Sequence, residues 1–98
     1  MPTWEAKMVT AFYDDTPAYE HEDCEVRIED SGYIVVSYEG EYGYNVYQGK
    51  DHGNGHYILE CPELQGKATL HRIQGSRILE GSWVEEGARG FWKITLPK

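Results

Sequence analysis

Positive charge is scarce in this chain. Nine Lys and Arg stand against 17 Asp and Glu, for a formal net charge of −8. Nucleic-acid binding draws its affinity from clustered Lys and Arg, and anionic membrane surfaces attract the same residues. Neither partner class is expected here. The shortage is also uneven. Residues 1–63 carry fourteen acids and three bases, net −11, and residues 64–98 carry three acids and six bases, net +3. Pairing between the two parts and solubility account for this asymmetry; docking of a basic partner is the sharper alternative. Cysteine is limited to Cys24 and Cys61. The opening MPTWEAKMV has no basic region followed by an apolar run, and no stretch is long enough to span a bilayer. The expected compartment is the cytoplasm, with both thiols reduced, unless a leader has been removed.

Several chemical signatures are missing too. There is no phosphate loop, no nucleophile elbow and no paired-carboxylate spacing. His21 precedes Glu22, Asp23 and Cys24, and His52 and His56 flank a glycine-rich stretch. Nothing fixes these imidazoles on one face, and the spacing fits neither a structural zinc pattern nor a calcium loop. No metal and no cofactor are expected. Cys24 and Cys61 fall in apolar strand phases, where thiols tend to be inert. His71 falls in an outward phase. No nucleophile, base and orienting group form a recognisable catalytic set.

What is present is strand signal. Hydrophobic residues make up 40 % and aromatics 13 %, with eight tyrosines, too much apolar surface for a disordered chain. With 98 residues, one domain over 1–98 is expected. Residues 22–29 alternate charged and apolar side chains, the period of a half-buried strand. A turn at Asp30-Ser31-Gly32 leads into the β-branched and aromatic run 33–38, a hairpin. Further strands are expected at 4–13, 43–48, 56–61, 67–73, 77–85 and 89–96. Residues 14–21 read as a loop, with Pro17 barring a ladder. Eight short strands joined by short links predict an all-β, antiparallel, up-and-down barrel, since closure removes both open edges. A β-sandwich is the alternative.

Two Gly-x-Trp triplets, Gly81-Ser82-Trp83 and Gly90-Phe91-Trp92, stand on the last two strands. In a strand each glycine shares a face with its tryptophan. The glycine lets the strand bend and leaves room for the indole. These triplets and the eight-strand meander resemble the calycins: lipocalins, avidins and fatty-acid-binding proteins. In those families the motif sits on the first strand, so the resemblance is architectural and carries over no binding residue.

The phases expected to face inward include Tyr38, Tyr44, Val46, Tyr57, Trp83 and Trp92, and Arg72 near a strand end. An eight-strand barrel is either filled by side chains or holds one small ligand. The first functional reading is a non-enzymatic binding module for a small, partly apolar, amphiphilic ligand in the barrel mouth. Tyr38, Tyr44, Tyr57, Trp83 and Trp92 form its walls, and Arg72 anchors a carboxylate. The alternatives are an acidic interaction module of immunity or inhibitor type with a basic protein partner, and an unrecognised enzyme. Tyr33, Val35, Tyr47, Ile58, Ile73, Ile78 and Phe91 fall in the outward phase. That much apolar surface on the wet side predicts homodimerisation.

Overall fold

A computed structural model describes residues 3–40 and 43–97, the side chains of residues 20 and 21 apart. The chain is a closed antiparallel barrel of eight strands in sequence order. The strands are β1 Thr3–Phe12, β2 Tyr19–Ile28, β3 Tyr33–Gly40, β4 Gly43–Asp51, β5 His56–Cys61, β6 Gly66–His71, β7 Ile78–Glu85 and β8 Ala88–Thr95. A single turn of 3-10 helix, Pro62–Leu64, joins β5 to β6. Antiparallel pairing of β1 with β8 closes the ring, so the sandwich alternative does not apply. Pro17 does keep its neighbours out of a ladder, but β2 begins at Tyr19, earlier than the charge alternation alone indicates.

The alternation in the sequence becomes the two sides of the wall. Cys24, Val26, Ile34, Val36, Leu59, Leu70, Leu79 and Ile94 face inward and are buried. Glu25, Arg27, Glu60 and Glu80 occupy the positions between and stand in solvent. The middle of the barrel is lined by buried apolar side chains. Met8, Val26, Leu59, Leu70 and Leu79 reach across it with almost no exposure. Truncating a fully buried leucine such as Leu70 to alanine therefore costs about 2–5 kcal/mol.

The Gly-x-Trp triplets do the packing work that strand bending requires. A Cβ on Gly90 would lie 1.9 Å from the Ala11 carbonyl oxygen and 2.7 Å from the six-membered ring of Trp83. No side chain fits there. The missing Cβ lets β1 come close and gives the Trp83 indole its place. Trp83 and Trp92 then stack at a tilt, ring centroids 6.2 Å apart, both inside the barrel.

One strand runs in the opposite phase to that expected from its sequence. Val36 pairs with Tyr47, Tyr38 with Asn45 and Ile34 with Gly49, so the odd-numbered residues of β4 face inward. Tyr47 is completely buried, whereas Tyr44 is 70 % exposed and Val46 39 %. Both alternating sets of GYNVYQGK contain a tyrosine, so hydrophobicity alone does not choose between them. Register with β3 chooses.

Candidate functional site

The two ends of the barrel differ. At one end lie the N-termini of β1, β3, β5 and β7. Here Trp4 packs against the core and the Arg72 guanidinium sits 5.9 Å from its ring centroid. The Arg72 Nε donates to the Ser76 carbonyl oxygen at 2.9 Å. Tyr57 is buried beside it; burial raises its phenol above the ordinary value, partly offset by Arg72. Arg72 is thus a half-buried rim residue, held by a backbone carbonyl and an indole face.

The other end is built by the C-termini of β1, β3, β5 and β7 and the N-termini of their partners. β4 pairs with β5 only from Gln48 to Asp51. Residues Gly43–Tyr47 have no ladder partner on that side among the described residues, so the wall spreads between β4 and β6. Tyr47 fills the spread from within. Its hydroxyl donates to Glu85 Oε2 on β7 at 2.6 Å. On the way it crosses β6 at Gly66, where a Cβ would lie 2.2 Å from that hydroxyl. Gly66 is the residue that allows the crossing.

Around Tyr47 the inward rows of neighbouring strands supply an aromatic lining. Trp92 meets Tyr47 edge to face at 4.9 Å and Tyr38 at 5.8 Å. Trp83 meets Phe12 edge to face at 5.2 Å, and Phe12 in turn meets Tyr19 at 5.7 Å. Such geometries place ring edges against ring faces, the favoured arrangement. Trp83 is 4 % exposed, and its indole N–H has no hydrogen-bond acceptor among the described residues. A buried donor without a partner carries a desolvation penalty of about 1–3 kcal/mol.

Polar groups complete this end. Glu22 shares the inward phase of Cys24 and Val26, opposite Met8. Thr10, itself 8 % exposed, donates from Oγ1 to Glu22 Oε1 at 3.1 Å. Burial pushes the Tyr38 phenol up to about 12; a hydrogen bond with Asn45 opposes this, and the negative field of Glu85 and Glu22 adds to it. Both carboxylates therefore act on one hydroxyl. Burial and the Glu85 hydrogen bond also raise the Tyr47 phenol well above the ordinary range. Burial, with Asp23 and Glu22 nearby, pushes the Cys24 thiol up to about 12. Such a thiol is not a nucleophile at neutral pH.

Tyr38, Trp83 and Trp92 come together at the splayed end. Tyr57 and Arg72 belong to the opposite end, and Tyr44 points outside. Arg72 therefore does not anchor a ligand beside the tryptophans. Sequence reasoning missed Tyr47, Glu22 and Glu85. Glu85 reads as the tip of a charged hairpin, yet it continues the Leu79, Gly81, Trp83 row. That shared phase was the available signal.

A groove of about 820 Å³ runs over β1–β4, lined by Glu5, Lys7, Asp23, Glu25, Glu39 and Tyr44 together with the inward-row residues Ala6, Glu22, Cys24 and Tyr38. A groove of about 500 Å³ is lined by Glu60, Pro62, Gln65, Gly66, Lys67 and Val84. Cys24 and Cys61 are both free thiols. Among the described residues no three His, Cys, Asp or Glu side chains converge as metal ligands. The side chain of His21 lies outside the described residues. His56 and His71 meet edge to face at 4.5 Å across β5 and β6. Among the described residues no helix is long and apolar enough to cross a membrane. No protein-family profile, curated protein or solved structure matches this chain.

Proposed function

We propose that this barrel is a non-enzymatic binding module that takes a small, partly apolar molecule at its splayed end, in the manner of calycin-type barrels. The observation that carries this reading is the Trp83 indole N–H, buried beside the rings of Phe12 and Trp92 without an acceptor among the described residues. Small-molecule sites combine apolar walls with a few fixed polar groups, and this end has that composition. The raised Cys24 thiol speaks against nucleophilic chemistry. Two free thiols accord with a reducing, cytoplasmic setting.

The test is tryptophan fluorescence during titration with alkyl carboxylates, alcohols and amines. Binding at the mouth shifts the emission of Trp83 and Trp92, and Trp83→Phe abolishes most of that response. No response from any class contradicts the reading.

One observation favours a second reading, docking of a basic protein. Glu5 and Glu25 stand directly opposite each other on β1 and β2, in the groove over β1–β4. Like charges facing across strands destabilise a sheet, and a basic partner seated on them would offset that cost. Salt-sensitive capture of a basic protein that is lost in Glu25→Lys supports this reading. Exposed Tyr44, Val46 and Ile58 on β4 and β5 make this wall the proposed self-association face. Sedimentation that shows monomer alone at high concentration removes that proposal.

A further inference from the structure

The mouth holds two carboxylates that make no ion pair among the described residues. Glu22 and Glu85 are each half-buried and inward in phase, one on β2 and one on β7. Each accepts a hydrogen bond from a neutral hydroxyl, Thr10 to Glu22 and Tyr47 to Glu85. Those bonds occupy Glu22 Oε1 and Glu85 Oε2. The second oxygen of each carboxylate has no protein donor among the described residues. The ion pairs among the described residues are Lys7 with Asp23 and Arg27 with Glu29, both on the outer wall. Arg72, half-buried, is held at the far end.

Partial burial of a carboxylate is costly unless a cation compensates it. The rings that line the mouth offer the other half of a cation site. Aromatic faces attract ammonium groups, tryptophan most strongly. The third group is the Trp83 N–H, which needs an acceptor and so does not pair with an ammonium. A single ligand serves all three only if it carries both a positive charge and a hydrogen-bond acceptor.

From Glu22, Glu85 and the Trp83 N–H, which has no partner among the described residues, all on inward rows toward one end of the barrel, we infer that the ligand is a small organic ammonium compound whose apolar body bears an oxygen acceptor. Its ammonium lies between the two carboxylates and against the rings, and its oxygen accepts from Trp83. This rests on the mouth being the binding site. It also fixes which amphiphiles are refused. An alkyl carboxylate brings a third negative charge to a place that already holds two. A bare divalent cation finds only two carboxylates and no third ligand among the described residues.

Calorimetry with three probes of one shape separates these outcomes: phenylethanolamine, phenylethylene glycol and mandelate. They share the ring and the hydroxyl and differ in an ammonium, a neutral or a carboxylate end. The full chain binds phenylethanolamine about tenfold or more tighter than the glycol, and binds mandelate least. Glu22→Gln and Glu85→Gln each reduce phenylethanolamine affinity about fivefold or more and leave glycol affinity unchanged. Trp83→Phe removes the advantage of phenylethanolamine over phenethylamine, which lacks the hydroxyl. Should Glu85→Gln disturb folding through Tyr47, Glu22→Gln carries the test alone, since its partner is a threonine at the rim. Equal or tighter binding of the glycol or of mandelate overturns the ammonium inference and leaves the mouth reading standing. No binding of any probe overturns both.

Discussion

Raising the pH attacks this barrel from inside. The Cys24 thiol and the Tyr38 phenol are each pushed up to about 12, mainly by burial, and Tyr47 is raised further. Each group keeps its proton in the folded chain at a pH where the unfolded chain has lost it. The unfolded state then binds fewer protons, and stability falls as pH rises. The contribution is intact below the unfolded values, near 9 for the thiol and 10 for the phenols, and drains away above them. Each group forfeits ~1.4 kcal/mol per pH step above its unfolded value. By about pH 11 the thiol has forfeited roughly 3 kcal/mol and the two phenols roughly 1 kcal/mol each, on the order of 5 kcal/mol together. Tyr38 contributes less than its full share because it is partly open to solvent. A domain of this kind holds about 5–15 kcal/mol in total. Alkaline unfolding is therefore expected as one cooperative transition between about pH 10 and about pH 12. Tyrosinate absorbance and far-ultraviolet circular dichroism, followed together against pH, read it. The tyrosinate signal from Tyr38, Tyr47 and Tyr57 develops with loss of the strand signal. In Cys24→Ala the midpoint moves upward. Complete tyrosine ionisation with the strand signal intact refutes the burial argument.

Other perturbations follow the same geometry. Gly66→Ala drives a methyl group into the Tyr47 hydroxyl and destabilises by about 1–3 kcal/mol in denaturant melts. Tyr47→Phe removes the donor to Glu85 and costs about 1–2 kcal/mol, the loss of one charge-assisted hydrogen bond. Trp83→Phe deletes an unpartnered donor, so it costs less than the ~3–5 kcal/mol expected of Trp92→Ala at the centre. Glu25→Gln relieves the pair with Glu5 and stabilises by about 0.2–1 kcal/mol, an effect that shrinks with added salt.

Much of the architecture was legible because one side of most strands is wet. The run from Glu22 to Ile28 shows its inward row as Cys24, Val26 and Ile28 against acids and a base. Trp83 and Trp92 share their rows with glycines, and both tryptophans are inside. β4 was not legible. Its inward row is Asn45, Tyr47 and Gly49, and its outward row is Tyr44, Val46 and Gln48, so the more apolar row faces water. Only the pairing with β3, and the gap where β5 stops short, put Tyr47 inside. The site suffered from the same limit. Phase gathered Tyr38, Trp83 and Trp92, but phase does not say at which end of a barrel a residue lies. Tyr57 and Arg72 share the inward phase and sit at the opposite rim. Glu22 and Glu85 were in the right rows throughout. Their charge made them look like surface, although a charge in an inward row near a strand end marks a mouth.

The three indole N–H groups give the most direct test, because Trp83 and Trp4 lie at opposite ends of the barrel. In proton–nitrogen correlation spectra of the full chain, titration with phenylethanolamine is predicted to move the Trp83 indole resonance downfield as it gains an acceptor. The Trp4 resonance stays where it is. Movement of Trp4 alone, or a Trp83 resonance unchanged at saturation, contradicts the placement of the site.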